Sequence, residues 1–408
     1  MRILFVCHRF PFPPKRGGKI RPFNMIRHLA ATHEVHVASI AHDDADAEGA
    51  PGIAPYCSSY LVEQPAAAVK WGRMIARLAT PQPSSIAYFQ SPRLARRIRA
   101  LMAARRFDLI LVHCAFVAPY VSAIGDVPKI LDFGDIDSEK WLAYSNFKPF
   151  PQSLGFRLEG RKMRAAERRL AEQFDCCTAT TRLEHESLLA LGGARETGWF
   201  PNGVDTDFFC PDGDGYDPDT IAFVGRMDYY PNQQAIRNFV DDILPKVLAT
   251  RPATRLLVVG ANPPAAIREL GKRPGVTVTG SVPDVRDHVR RAALTVAPLA
   301  IARGVQNKIL ESMALGVPVI ATPVAAKGVD ATAPAHLLVA ADDASFAASV
   351  LDLLGDPARR RQLAEAGRRQ VIAAHSWAAS MKRLDQIIER TVARFAPGAV
   401  ATGGATGH

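Results

Sequence analysis

No apolar run in this 408-residue chain approaches the roughly 18 residues that a membrane-spanning helix needs, although 48% of its residues are hydrophobic. Between Arg2 and His8 stands only ILFVC, a strand-sized run too short for a secretory signal. A cytoplasmic protein is therefore expected. Cysteine is scarce as well. Cys7, Cys57, Cys114, Cys176, Cys177 and Cys210 show neither CxxC spacing nor the density of a disulfide scaffold, and read as reduced, mostly buried thiols. No G-x-G-x-x-G follows the first strand pattern. The chain runs CHRFPFPPKRGG there, with Gly17-Gly18 reached only after a proline-rich loop, which argues against a dinucleotide turn. No internal repeat is visible beyond a duplicated architecture.

The length exceeds one ordinary core and suits two domains of about 150 to 200 residues. Short apolar runs alternate with helical patterns, as in parallel sheets covered on both faces. RILFVC, EVHVASI, SYLVE, LILVH, KILDF and CCTAT form a first series of strands, and TIAFVG, RLLVVG, VTVTG, LTVAP and PVIAT a second. The fold class predicted is α/β, with two Rossmann-like, doubly wound domains facing across a cleft. Residues 1–205 are expected to form the first domain and 206–375 the second, with the Asp-, Gly- and Pro-rich stretch 211–219 as linker. A helix over 376–395 and a disordered tail over 396–408 complete the expectation, with Asn202-Gly203 as a turn at the hinge.

The most informative segment is RGVQNKILESMALGVPVIAT, residues 303–322. Gly304, Lys308 and Glu311 are spaced i, i+4, i+7 and share one helix face, while Ile309, Leu310, Met313 and Ala314 supply apolar packing. The N-terminus of such a helix presents free N–H groups, Lys308 adds a full positive charge, and Glu311 can accept hydrogen bonds from ribose hydroxyls. Phosphates at the mouth with sugar hydroxyls below fit that layout. Gly316 can end the helix.

This segment resembles the C-terminal signature of retaining GT-B glycosyltransferases of family four, in which two Glu residues stand eight apart. Glu311 is the second; the first falls at Arg303. Gln306-Asn307-Lys308 is similar to the subgroup associated with exopolysaccharide and exosortase (PEP-CTERM) systems, and the likeness extends to RILFVCHRFPFPPKRGGKIRPFNMI, PNGVD and FVGRMDYYPN. It implies transfer of a hexosyl unit from a nucleotide-diphosphate sugar to a saccharide or polyprenyl-linked acceptor with retention, in exopolysaccharide biosynthesis. The donor is a substrate, and neither cofactor nor metal is expected. Gly17, Gly18, Arg226, Arg303, Gly304, Gln306, Asn307, Lys308 and Glu311 would bind it. Arg226, at the end of TIAFVG, matches the family's diphosphate-binding arginine, and Lys308 would stabilise the leaving group with it. The family's usual lysine about five residues beyond Arg226 is replaced by Tyr230-Pro231-Asn232. A donor-sugar contact would fall to Asp135 or His113. An epimerase or hydrolase of the same fold, or a noncatalytic nucleotide-sugar-binding protein, remains the alternative.

Asp132, Asp135 and Asp137 in LDFGDIDSEKW follow a strand and are expected to point toward the cleft, unless a carboxylate there caps the next helix. The Asp135-Ile136-Asp137 pair could also be read as a metal-binding D-x-D, but that belongs to a fold with one nucleotide domain. Lys15, Arg16 and Lys19 make the first loop basic. The net charge of +10 gathers in SPRLARRIRALMAARR, which holds six arginines and no acid, and in VKWGRMIARL with Trp71 beside Lys70, Arg73 and Arg77. Two readings stand for these segments: helices packed on the core, or docking elements for an anionic membrane at the inner face of the cytoplasmic membrane. Nucleic acid is not expected as a partner.

Overall fold

The computed structural model describes residues 1–14, 17–213, 215–302 and 304–395. The chain divides into two compact units, Met1–Pro201 with Met381 onward, and Asn202–Ser380. The first is built on seven strands: β1 Arg2–Cys7, β2 Glu34–Ile40, β3 Ser59–Glu63, β4 Leu109–His113, β5 Lys129–Gly134, β6 Cys176–Ala179 and β7 Thr197–Trp199. They lie in the order β3-β2-β1-β4-β5-β6-β7, and every pair is parallel. β4 is buried along its whole length, which is why LILVH shows an unbroken apolar run rather than alternation. Leu4, Val6, Ile110, Val112 and Leu131 carry the core, together with Ile98, Met163 and Phe174 from the covering segments.

The second unit repeats the plan. Its strands are β8 Asp217–Val224, β9 Arg255–Val259, β10 Val276–Gly280, β11 Ala292–Ala297, β12 Val319–Ala321 and β13 Leu338–Val339. The order β10-β9-β8-β11-β12-β13 is again parallel throughout. In each sheet the chain reverses its direction of winding beside the first strand, between β1 and β4 and between β8 and β11. Ligands bind such sheets beyond the carboxyl ends of the strands at that switch point. The stretch expected as linker, 211–219, lies inside this unit because it is tied down. Asp217 opens β8, its N–H donates to the Arg291 carbonyl at 2.9 Å, and its carboxylate accepts from Thr220 Oγ1 at 2.8 Å and Arg255 Nη2 at 2.6 Å.

The chain leaves the first unit at Pro201, and Val204 pairs with Ser376 in an isolated parallel bridge. Gly203 is required there, since a Cβ would lie 2.5 Å from the Trp377 ring. The helix Trp377–Arg394 enters the first unit at Met381, and there sets Ile387 against Gly198. Its Arg383 stacks on Trp199 at 4.5 Å and its Asp385 meets His28 at 2.8 Å. The tail 396–408, like Lys15, Arg16 and Arg303, lies outside the described residues.

Of the two arginine-rich segments, Pro92–Ala104 is a core-packed helix. Ser91 caps it by accepting from the Leu94 N–H at 3.2 Å, Pro92 occupies its first position, and Leu94 and Ile98, one turn apart, are fully buried. Arg97 turns back to Glu63 at 2.6 Å. Its apolar face is spent on the sheet. Among the described residues no helix is long and apolar enough to cross a membrane.

Candidate active site

In the second unit the switch-point end of β8 turns sharply at Gly225, whose N–H donates to the Val259 carbonyl at 3.0 Å. Nothing larger fits: a Cβ would sit 2.7 Å from Asn232 Nδ2 and 3.0 Å from Lys308 Nζ. Arg226 follows, and Asn232 joins it to the second cation. Its Nδ2 donates to the Arg226 carbonyl at 2.8 Å, while its Oδ1 accepts from Lys308 Nζ at 2.5 Å. Lys308 lies in the first turn of the helix Asn307–Ala314 and also stands 4.9 Å from the Phe223 ring centroid. Loss of solvent pulls its ammonium down to about 8, against the opposing charge of Glu311. Burial likewise pushes Glu311 up to about 7, with Lys308 pulling it back. Among the described residues no group donates a hydrogen bond to the Glu311 carboxylate. The Asn307 Oδ1 is buried without a partner.

The loop before this helix holds Gly304 at φ 63°, and the Gly328 backbone approaches so closely that a Cβ there would lie 2.0 Å from the Gly304 carbonyl. Gln306 takes the N-cap position, and Ser312 closes the helix by donating to the Lys308 carbonyl at 2.7 Å. Arg226 itself is half exposed, and its guanidinium is held by Asp228, with Nε 3.0 Å from Oδ1. The arrangement links two cations of different character through one amide: a desolvated ammonium that the amide fixes, and an arginine whose backbone carbonyl it holds and whose guanidinium is tethered two residues on. A dianionic group accepts hydrogen bonds from such a pair and from a helix N-terminus.

In the first unit the helix Gly17–Ala30 opens at Gly17, and Gly18 is exposed. Lys19 and Arg21 both turn inward. Lys19 pairs with buried Asp46, so the expected basic loop loses one of its charges. Arg21 makes a two-pronged bond to Asp132, Nε–Oδ2 2.8 Å and Nη2–Oδ1 2.9 Å, and stacks 3.7 Å from the Phe200 ring centroid. His113 Nδ1 lies 2.8 Å from Asp132 Oδ2, and Thr178 Oγ1 donates to Oδ1 at 2.9 Å. Asp132 is fully buried, yet the Arg21 guanidinium and these donors hold its carboxyl well below the usual range. It is an internal strut rather than a cleft-facing acid. In a strand buried on both faces, sequence position does not tell which side chain points where. His8, after β1, has its ring 5.6 Å from His113 and 5.5 Å from Phe89, and burial keeps it neutral.

Asp135 follows β5, just beyond Gly134 at φ 72°, and its carboxylate accepts from Thr180 Oγ1 at 2.9 Å. It does not cap the next helix, since Ile136 is the N-cap and no side chain caps it. Asp137 is pushed up to about 6 by burial, with Lys140 opposing.

Two family models match consecutive stretches of the chain: "Glycosyl transferase 4-like domain" over residues 16–203 and "Glycosyl transferases group 1" over 218–356. The chain is a GT-B glycosyltransferase. Sucrose-phosphate synthase from Thermosynechococcus elongatus superposes with a TM-score of 0.73 at 19% identity, over 97% of this chain and 100% of that one. HepE of Anabaena, solved with UDP, gives a TM-score of 0.69 at 14% identity, covering 96% and 100%. A TarM variant of S. aureus, solved with fondaparinux, α-GlcNAc-glycerol and UDP, gives 0.65 at 9%, covering 95% and 99%. At these identities the structures share the fold. No curated protein sequence matches significantly.

Within this glycosyltransferase, Arg226, Asn232, Lys308 and Glu311 share one end of the second sheet, while Gly17, Gly18 and Asp135 belong to the first unit. Arg303 lies outside the described residues. Asn232 is the residue that sequence reasoning passed over, having registered it only as the place where a family lysine is missing. The signal was available in that same substitution. When a charged group leaves a phosphate site, the amide in its place has a neighbour to hold.

Proposed function

We propose that the chain transfers a hexosyl unit from a nucleotide-diphosphate sugar to a saccharide or lipid-linked saccharide, with retention and without a metal, in exopolysaccharide assembly. The observation that carries this is the Lys308–Asn232–Arg226 constellation one helical turn from a carboxylate that has no donor among the described residues. The diphosphate is the ligand that suits it. The helix N-terminus at Asn307, Lys308 and Arg226 would take the phosphate oxygens, and Glu311 would accept from the ribose hydroxyls. HepE was solved with UDP-glucose as well as UDP, which favours a uridine donor.

Retention by the front-face route needs no protein nucleophile. The glycosidic carbon–oxygen bond to the diphosphate breaks, the acceptor hydroxyl oxygen bonds to the same face, and a leaving phosphate oxygen takes its proton. The protein's part is to stabilise charge that grows on the leaving group. Amides of Gly17 and Gly18 are proposed as further donors, and Asp135 and His113 as contacts to the transferred sugar. Asp132 accepts from His113 Nδ1–H, which orients the ring with Nε2 on its far side. Arg303 is proposed to add charge at the diphosphate.

Steady-state kinetics with a panel of nucleotide sugars tests the reading. Lys308→Ala and Arg226→Ala should each lower kcat by about a hundredfold or more, the usual cost of a lost transition-state donor. Glu311→Ala should mainly raise the donor KM, because a ribose contact is made equally before and during reaction. Wild-type turnover in both cation variants, with the fold intact, would refute the site. Formation of an epimer or free sugar with no glycoside product would refute the transferase.

A further inference from the structure

The helix Ala67–Ala76 has its amphipathic pattern turned inside out. Its inward side is cationic: Lys70, only 4% exposed, donates to the His42 carbonyl at 3.1 Å, and Arg73 donates to the Gln90 carbonyl. Its outward row is Trp71 and Ile75, at i and i+4, continued by Leu78 two residues beyond the helix end; the three are 52%, 60% and 56% exposed. A surface helix ordinarily buries that row. Here Trp71 meets the Tyr88 ring edge-on at 5.9 Å, and the row otherwise faces outward.

A second exposed row lies beside it. Phe150 is 81% exposed in the segment before the helix Gln152–Ala171, and Leu154 and Leu158 continue outward along that helix. One turn further on the same face, Lys162 donates to the Arg77 and Leu78 carbonyls at 3.1 and 2.7 Å. That bond fastens the end of one apolar row to the other. Of the large apolar side chains exposed in the first unit, most fall in 69–78 and 147–158. Scattered exposed leucines need no explanation, but a gathered set with three aromatics, Trp71, Phe147 and Phe150, does.

The charge around the patch has one sign. Residues 147–171 contain seven Lys and Arg against Glu159 and Glu167. Both acids face inward, Glu159 accepting from the Ser85 N–H at 2.8 Å and Glu167 being fully buried. Arg157, Arg161 and Arg169 are exposed, and no carboxylate pairs with them among the described residues. A second copy would bring these like charges together across the contact. The apolar side chains protrude instead of lining a groove, so they suit a fluid acyl boundary better than a shaped protein surface.

We propose that this face of the first unit docks on an anionic lipid bilayer, with Trp71, Ile75, Leu78, Leu154 and Leu158 entering the acyl boundary and Arg157 and Arg161 among the headgroups. The inference stands apart from the donor site, and its readout needs no catalysis. It also moves the docking element away from the arginine-rich helix Pro92–Ala104, whose apolar face is already buried.

Flotation of the full chain with vesicles of phosphatidylcholine, with and without phosphatidylglycerol, tests it. The wild type should float with the anionic vesicles and far less with the neutral ones. Ile75→Ser should weaken partition by about tenfold, as expected for one buried aliphatic side chain, and Arg157→Glu with Arg161→Glu by more than the roughly fivefold lost per surface cation. Brominated lipid should quench wild-type fluorescence more than that of Trp71→Phe. Arg93→Glu with Arg96→Glu, on the core-packed helix, should retain most of the binding. All four proteins should melt near the wild-type temperature, since every changed side chain is exposed. Binding that ignores Ile75→Ser, or falls most with Arg93→Glu and Arg96→Glu, overturns the proposal. So does absence of vesicle binding together with a concentration-dependent dimer that Ile75→Ser dissolves, which would assign the face to a second copy.

Discussion

Glu311→Gln should change the pH dependence of donor capture in a direction that only the Lys308 pair explains. In the free enzyme the ammonium sits at about 8 and the carboxylate at about 7, both displaced by loss of solvent. Charged Lys308 beside charged Glu311 is therefore the dominant form only between those values. Below that window Glu311 gains a proton and loses its charge-assisted acceptance from the ribose hydroxyls. Above it Lys308 loses the charge that meets the diphosphate. The kcat/KM profile for the donor, which reports the free enzyme, should be a narrow bell with limbs near those two values. A nucleotide-diphosphate sugar titrates well below this range, so both limbs belong to the protein.

The amide removes the acid limb outright. It also removes the attraction that lifts Lys308, and one partly screened pair is worth on the order of 1.4 kcal/mol, or one pH unit. The alkaline limb should therefore move down toward neutrality. With donor bound, the diphosphate restores a negative neighbour, so the alkaline limb of kcat should lie above that of kcat/KM in both proteins. Initial rates of nucleotide diphosphate release across the pH range, at limiting and at saturating donor, provide the assay. An alkaline limb that stays put or rises in Glu311→Gln would refute the coupling, and an unchanged acid limb would remove Glu311 from the site.

Asn232→Leu, which keeps the volume but removes both hydrogen bonds, should lower kcat by about tenfold to a hundredfold through a loosened Lys308. Asn232→Asp should instead raise the alkaline limb and the donor KM, because the new carboxylate stabilises the ammonium and repels the diphosphate; one pH profile separates the two outcomes. Glu167 is fully buried, with burial pushing it up to about 8. Its folded pKa lies above the unfolded value, so its contribution to stability is full below about 4.5 and is lost as pH rises through about 8. Glu167→Gln should abolish that loss, with a gain of about 2–4 kcal/mol at alkaline pH. Thermal melts of both proteins across the range measure it, and parallel curves would contradict the burial argument.

The fold was largely legible because both sheets are parallel and buried, so each strand announces itself as an apolar run between turn residues. β7 and β13 escaped for the same reason in reverse. With three and two residues, they are too short to show any period. That Lys308 and Glu311 share one face of a helix was legible from spacing, since that is fixed by the helical pitch; Gly304, expected on the same face, instead lies in the loop before Asn307, where its φ of 63° is incompatible with a helix. Asn232 was not legible. It meets Lys308 from the first turn of another helix, Tyr230–Asn238, 76 positions away in sequence, and no local pattern encodes that meeting. The tether on Arg226 was hidden differently: Asp228 stands two residues on, close enough to read, but the hydrogen bond depends on a backbone turn that Gly225 allows.

The two arginine-rich helices expose a limit of periodicity itself. An amphipathic pattern states which residues share a face, and is silent on which face turns inward. Pro92–Ala104 follows the common solution, with Leu94 and Ile98 in the core and its arginines outside. Ala67–Ala76 takes the opposite one, because carbonyls at His42 and Gln90 stand where its inward side lands and need donors. Burying Trp71 there would leave those carbonyls unsatisfied, at roughly 1–3 kcal/mol each. Lys70 and Arg73 satisfy them and force the apolar row outward. An exposed apolar row that follows from internal hydrogen bonding would persist whether or not anything covers it, so exposure by itself is an incomplete argument for docking. The unpaired arginines of the neighbouring helix supply the missing half, since no buried acceptor requires Arg157 or Arg161 to stand where they do.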